Sequence, residues 1–416
     1  MESIAGNGRN QLRKRYTQRE FINVPNLKPV ILVFVRHYLP GFRSGGPVRS
    51  VSNIVKALES EYDFRIVCLN RDHGETESFA DIDSSRWTKL GEAHVYYAKD
   101  QEMDFVLCRR LIAELKPDMI YLNSLLDRKF SMMPFLAVGR ANATPVLIAP
   151  RGELSPGALG LKVWRKQFFL RIVKFFNYFA HVHWHASSAA EEAQIHEVFA
   201  SKRRSLFLAS NLPEIQQNSL TRPRLKKPGV LKIVLAARIS PMKNTLAAIR
   251  MAGQLQGEVV LDLWGPLENK DYWAACEKQV ELCQPNVKVN YKGEVAHEKI
   301  TAVLQEYDLM LMPTLGENFG HSIIEALSAG LPVIISDRTP WKNLKATGVG
   351  AELPLENESE FVRQLERYQA MSEQELAEVR ISCRRFVAAW QAEYADLGPS
   401  RKMFDAVIAS KATPCK

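Results

Sequence analysis

The 416-residue chain has little cysteine: Cys68, Cys108, Cys276, Cys283, Cys383 and Cys415, with no C-x-x-C pair among them. So few thiols, so widely scattered, exclude a disulfide framework, and reduced cytosolic thiols are expected. No apolar run reaches the roughly 18 residues that a membrane-crossing helix needs. The N-terminus has no apolar core followed by a small-residue cleavage site, so no signal peptide is expected. There is no repeat of fixed short period. Zinc-finger spacing, an RNP aromatic pattern and a basic helix-turn-helix are also missing, so a nucleic-acid partner is not expected.

What is present is the composition of a soluble globular protein, 46% hydrophobic and 24% charged. The length suffices for two domains. The net charge of +9 favours an anionic partner: a phosphate-bearing small molecule, an anionic lipid or nucleic acid. Residues 1–28 concentrate part of that charge, with Arg9, Arg13, Lys14, Arg15, Arg19 and Lys28 against Glu2 and Glu20. The segment reads as a flexible basic tail, with a foot on an anionic membrane surface as the sharper alternative.

Short apolar runs alternate with longer stretches of helical spacing. Strands are expected at 29–35, 64–69, 93–98, 118–122, 145–150 and 181–186, with helices such as 48–60 and 105–116 between them. Continuous apolar strands separated by helices imply parallel sheets buried on both faces. The rhythm pauses at 213–229, a polar, basic, proline-containing linker, and restarts with strands at 231–237, 259–264, 287–293, 309–313 and 332–336. The fold class is therefore α/β, with two Rossmann-like doubly wound domains at 29–212 and 230–395, facing across a cleft. A helix at 396–416 would pack back on the first domain. In such sheets ligands bind at the carboxyl ends of the strands.

The richest stretch for chemistry is 313–336, "PTLGENFGHSIIEALSAGLPVIIS". It reads as a strand end, a glycine loop, a helix closed by Gly330, and the next strand. Such a helix start suits phosphate, and Gly316 and Gly320 allow close backbone approach. Ser322 and Glu325 fit a capping box, so Glu325 is either a cap or a ligand. Glu317 has no such structural role and belongs with a ligand's hydroxyls or a cation.

"GENFGHSIIEALSAGLPVI" resembles the E-x7-E signature of retaining glycosyltransferases of family 4, which have the GT-B fold. The resemblance implies that Glu317 contacts the donor sugar and Glu325 the ribose. The backbone of Asn318, Phe319, Gly320, His321 and Ser322 would bracket sugar and pyrophosphate. "AARISPMKN" resembles the family's G-R-x-x-x-x-K-G element, which makes Arg238 and Lys243 the cations on the leaving pyrophosphate; Met242 and Asn244 depart mildly from it. "SGGPVR" resembles the glycine loop that closes over the diphosphate, with Gly45, Gly46 and, as phosphate contact or surface charge, Arg49. Gly293, Glu294 and Val295 would lie beneath the base, and Gly265 on the same rim. Where many relatives have a histidine near the sugar, this chain has Arg151-Gly152-Glu153. Arg151, Glu153, Asn123 and His185 are placed near the sugar or acceptor.

The resemblance implies sugar transfer from a nucleotide-diphosphate donor to a glycan acceptor, polyprenyl-diphosphate-linked in one reading. The setting would be bacterial surface polysaccharide biosynthesis, in the cytoplasm or at the inner face of the membrane. No cofactor or metal is expected. Asp81-x-Asp83 lies in a polar loop, and the alternating His181, His183 and His185 read as packing. The basic aromatic segment 161–179 could pack in the core, line an apolar acceptor or touch lipid headgroups. The alternatives are a GT-B epimerase, a phosphorylase, or a basic nucleic-acid-binding protein.

Overall fold

A computed structural model describes residues 28–139, 144–155, 179–199, 205–212, 225–394 and 396–412. The tail up to residue 27, the greater part of the 161–179 segment and linker residues 213–224 lie outside the described residues.

The first half builds an eight-stranded sheet in the order β3-β4-β2-β1-β5-β6-β7-β8. Its strands are β1 (Val30–Phe34), β2 (Asp63–Leu69), β3 (Trp87–Leu90), β4 (Ala93–Ala98), β5 (Met119–Leu122), β6 (Val146–Ile148), β7 (His183–Ala186) and β8 (Leu206–Leu208). Only β3 runs antiparallel, paired with β4 at the edge. Helices α1 (Gly46–Leu58), α2 (Phe105–Leu115), α3 (Met133–Val138) and α4 (Ala189–Phe199) accompany it. In β1, Leu32 and Phe34 enter one core while Ile31 and Val33 enter the other. Successive side chains leave a strand on opposite faces, so an unbroken apolar run is what a sheet covered on both sides requires.

The second half repeats the plan with six parallel strands in the order β11-β10-β9-β12-β13-β14. These are β9 (Val230–Ala236), β10 (Glu258–Trp264), β11 (Val287–Gly293), β12 (Leu309–Met312), β13 (Val333–Ser336) and β14 (Gly350–Leu353). The accompanying helices are α5 (Thr245–Ala252), α6 (Lys270–Glu281), α7 (His297–Leu304), α8 (His321–Ser328), α9 (Glu358–Ala370) and α10 (Glu373–Tyr394). In each sheet the direction of winding reverses once, between β1 and β5 and between β9 and β12. The loops leaving the carboxyl ends of those central strands diverge and leave a crevice, the usual ligand position in doubly wound sheets.

A last helix, α11 (Gly398–Ala409), returns to the first sheet. Met403, Phe404 and Val407 are buried there, with Phe404 edge-on to Tyr62 at 5.5 Å and to Tyr121 at 5.9 Å. Arg401 pairs with Glu61 at 2.8 Å and Lys411 with Asp118 at 3.0 Å. Each fully buried apolar side chain contributes about 1.5–3 kcal/mol, so the exposed ion pairs are secondary to the three-residue apolar seam. Strands β3, β8 and β14 were not among those expected. They are three or four residues long, too short for periodicity to mark them.

Candidate active site

The two crevices meet in one cleft of about 390 Å³, within the usual range for a small-ligand pocket. From the first half it is lined by the loop after β1 with the start of α1, the loop after β6, and the start of α4. From the second half come the loops after β9, β10, β11 and β12 with the start of α8.

Gly45, at φ +64°, is the N-cap of α1, and Pro47 follows in the first turn, where a missing amide costs nothing. The preceding loop is held by Asp72, whose carboxylate accepts from the amides of Phe42 (2.8 Å) and Arg43 (3.1 Å). Gly46 lies opposite His321: a Cβ there would be 3.8 Å from the imidazole.

Helix α8 starts at His321, after Gly320 at φ +80°. The N-cap is therefore this glycine, and no side chain caps the helix. The expected capping box is not formed: Ser322 lies inside the helix with its hydroxyl on Met312 Sδ at 3.7 Å, and Glu325 pairs with Arg49. The helix start is instead braced by aromatics. Trp341 Nε1 donates to the Phe319 carbonyl at 2.6 Å, and Trp390 of α10 packs at a tilt against both rings. Gly330, at φ +79°, ends the helix as the sequence suggested.

Four acidic residues meet cations here. Lys243 pairs with Glu317, and both side chains are nearly buried (15% and 11% exposed). Glu325 pairs across the cleft with Arg49. Arg43 Nε lies 2.5 Å from Glu294. Arg238 pairs with Glu268 at 2.9 Å at the more open rim. Two further polar contacts cross the cleft: Asn318 Nδ2 donates to Ser187 Oγ at 2.7 Å, and Ser50 Oγ lies 3.2 Å from His321 Nε2. Lys243 closes a 3-10 turn, and Asn244 behind it adopts φ +55°. Asparagine tolerates that conformation better than most residues, so the departure from glycine is absorbed locally.

Of the remaining residues singled out in the sequence, Val295 and Gly265 line the cleft. Gly265 is there for a different reason from ligand approach. At φ +140° its missing Cβ would lie 2.1 Å from the Ala237 carbonyl oxygen, so the neighbouring strand end requires glycine. Gly293 is not part of the cleft lining, and its carbonyl accepts from the Gly265 amide at 2.8 Å.

Three acceptor-side expectations change. Glu153 touches the wall, but its carboxylate accepts from Ser124 Oγ (2.7 Å) and the amides of Leu125 (2.7 Å) and Leu126 (2.8 Å). Burial pushes its pKa up against those bonds. Its carboxylate thus organises the loop after β5. His185 does not reach the cleft: it is fully buried, with Nε2 2.8 Å from the Ala209 carbonyl. That nitrogen must donate, so Nδ1 accepts from the Tyr121 hydroxyl at 2.8 Å. Asn123 is also buried, donating to Pro47 O (3.3 Å) and accepting from Arg151 Nε (2.7 Å). Arg151 itself lines the cleft.

Burial first, and the Arg151 guanidinium second, push the His185 pKa down from 6.5 to about 3. The unfolded chain takes up this proton first, so the stability is complete above about pH 6.5 and is lost as pH falls towards 3. About 2 kcal/mol should be gone by pH 5. Denaturant midpoints across pH 4–8 check this, with His185→Gln flattening the slope. The comparable share of buried His37, whose pKa falls to about 4, would remain.

Several cleft residues carried no sequence signal. Ser50, Glu191 and Asn211 gain their position from strands and helices distant in the chain. Glu191 could have been suspected as an acid in the first turn of a helix after a strand. Among the described residues no group of three or more His, Cys, Asp or Glu side chains could hold a metal ion. Asp81 and Asp83 are exposed. No described helix is long and apolar enough to cross a membrane.

Residues 217–379 match the family model for glycosyl transferases group 1. No match was found among curated proteins. Similar solved structures include Anabaena HepE in complex with UDP and glucose (17% identity over 87% of this chain and 95% of the other, TM-score 0.61). Another is WaaG, a glycosyltransferase involved in lipopolysaccharide biosynthesis (13%, 90% and 98%, TM-score 0.62). A third is sucrose-phosphate synthase from Thermosynechococcus elongatus (16%, 91% and 100%, TM-score 0.63). At such identities the likeness establishes the shared two-domain architecture. Residues 217–379 thus resemble a group 1 glycosyltransferase domain, set in the two-domain GT-B architecture that these structures share.

Proposed function

We propose that the chain moves a sugar, with retention of anomeric configuration, from a nucleoside-diphosphate sugar to a glycan acceptor in surface polysaccharide biosynthesis. The observation that carries this reading is the convergence of Lys243, Arg238 and the N-terminus of α8 on one cleft. A departing pyrophosphate develops negative charge, and two cations with a helix terminus are suited to hold it. Glu317 is assigned to the sugar hydroxyls, Glu325 to the ribose, and the backbone of Asn318–Ser322 to sugar and phosphate. Gly45, Gly46 and Arg49 contact the diphosphate from the first domain.

In the step we favour, the bond from the anomeric carbon to the phosphate oxygen breaks while the acceptor oxygen bonds to the same face. The acceptor proton passes to the departing phosphate. No carboxylate is assigned as nucleophile: Glu317 and Glu325 have cationic partners, and Glu153 is held by three donors. A glycosyl-enzyme adduct on any of them would overturn this step. On binding, the donor would exchange Arg49–Glu325 and Lys243–Glu317 for its own phosphates and hydroxyls.

A thermal-shift screen of nucleotide sugars tests donor binding, since a bound ligand raises stability by mass action. Glu325→Gln should then weaken nucleotide binding about tenfold, the effect of one charge-assisted hydrogen bond. Glu317→Gln should lower turnover more than nucleotide affinity. Wild-type rates in both variants would refute the assignment. HepE was solved with UDP and glucose and WaaG serves lipopolysaccharide synthesis, which supports a uridine donor and a surface-glycan acceptor as first choices. A basic chain working at the inner face of an anionic membrane fits the same reading, and co-sedimentation with phosphatidylglycerol vesicles tests it.

A further inference from the structure

The arginines and lysine of the cleft share one property, with a single exception. Arg43, Arg49, Arg238 and Lys243 each lie against a carboxylate: Glu294, Glu325, Glu268 and Glu317. Arg151 alone, among the described residues, has no acidic partner. Its Nε donates to Asn123 Oδ1 at 2.7 Å, Nη1 to Asn211 Oδ1 at 2.5 Å and Nη2 to the Tyr121 hydroxyl at 2.5 Å. All three acceptors are neutral. The carboxylates on the same wall are engaged elsewhere: Glu153 by Ser124, Leu125 and Leu126, and Glu191 by Gly152 N, Ser187 N and Ser187 Oγ.

Behind Tyr121 the network ends on His185, which donates to a backbone carbonyl and bears no charge. The whole support therefore orients the guanidinium without neutralising it. Arg151 also holds φ +56°, a conformation disfavoured for a residue with a Cβ. A half-buried cation kept unpaired on a strained backbone is costly unless a ligand completes it. A guanidinium has five N–H donors, and the three bonds leave one free on each Nη. That pair matches two oxygens of a carboxylate or phosphate. The position is close to the transferred group: a Cβ on the adjacent Gly152 would lie 3.0 Å from Asn318 Cβ, on the loop assigned to the donor sugar.

The geometry points to Arg151 as the recognition residue for an anionic group on the sugar side of the cleft, a carboxylate on the transferred sugar or a phosphate on the acceptor. This rests on the nucleotide-sugar reading of the cleft. The test is calorimetric titration of the full chain. UDP, GDP and ADP are titrated first; if none binds, the parent reading falls and this inference with it. With the matching base, two pairs of probes follow: the nucleoside-diphosphate glucuronate against the glucose compound, and, with the nucleoside diphosphate bound, N-acetylglucosamine 1-phosphate against N-acetylglucosamine.

The wild type should prefer the charged member of one pair about tenfold. A preference in the first pair identifies the sugar carboxylate, and in the second the acceptor phosphate. Arg151→Gln should bring that ratio to about one while nucleoside-diphosphate affinity is unchanged, and Arg151→Lys should retain part of it. A folded wild type that binds nucleotide but discriminates in neither pair overturns the inference and leaves the parent reading standing. Discrimination that survives Arg151→Gln also overturns it.

Discussion

Lys243→Met is expected to lower turnover about 100- to 1,000-fold, the usual effect of removing one group that stabilises developing transition-state charge. Lys243 sits on the loop after β9, faces the cleft, and is one of two cations assigned to the pyrophosphate. Its role would grow as the bond to the sugar breaks, so kcat should fall more than donor affinity. The same substitution leaves Glu317 nearly buried without its cation, which should also lower the melting temperature. The two effects separate in the double variant Lys243→Met/Glu317→Gln. Removing the orphaned charge should recover much of the thermal stability, while turnover should stay low. Single-turnover rates and melting curves on the three variants check this. A Lys243→Met enzyme with near wild-type turnover would place the pyrophosphate elsewhere.

Gly265→Ala should be among the most damaging single substitutions in the second domain, costing about 4 kcal/mol or more. A Cβ there would meet the Ala237 carbonyl oxygen at 2.1 Å and the Ala237 carbonyl carbon at 2.6 Å. Both are backbone atoms at the end of the central strand β9, and neither can swing aside as a side-chain tip could. The forced movement would fall on Arg238, the next residue, so stability and donor binding should decline together. Gly45→Ala is the control. Its φ is also positive, at +64°, but nothing lies within 4 Å of the added carbon. Only the backbone preference is lost, about 1–2 kcal/mol. Chemical denaturation of both variants checks the ranking, and equal losses would show that conformation, not contact, governs Gly265.

The contrast between these glycines shows where sequence reading stops. A glycine beside a strand end can mean a ligand, a turn or a neighbouring backbone, and one sequence does not separate them. Ser322-x-x-Glu325 has the spacing of a capping box, yet Gly320 begins the helix and leaves Glu325 for Arg49. The partner is 276 residues away, so no local pattern can reveal the pair. His185 likewise lies at a strand end, as an acceptor-facing residue would, but at 0% exposure it supports Tyr121 from behind.

By itself the sequence determined the elements and their class. Apolar runs of strand length between helical stretches specify parallel sheets covered on both faces, because burial on each side is a local property of alternate side chains. It also determined which loops carry unusual glycines, acids and cations, since those loops follow directly from the strands. Only the tertiary structure decided which charges face one another and which are satisfied. Ion pairing and desolvation depend on distances between residues far apart in the chain, falling off within a few ångströms. On that ground Lys243 belongs with Glu317 and Arg49 with Glu325, and Arg151 is held by three neutral partners with no acid of its own.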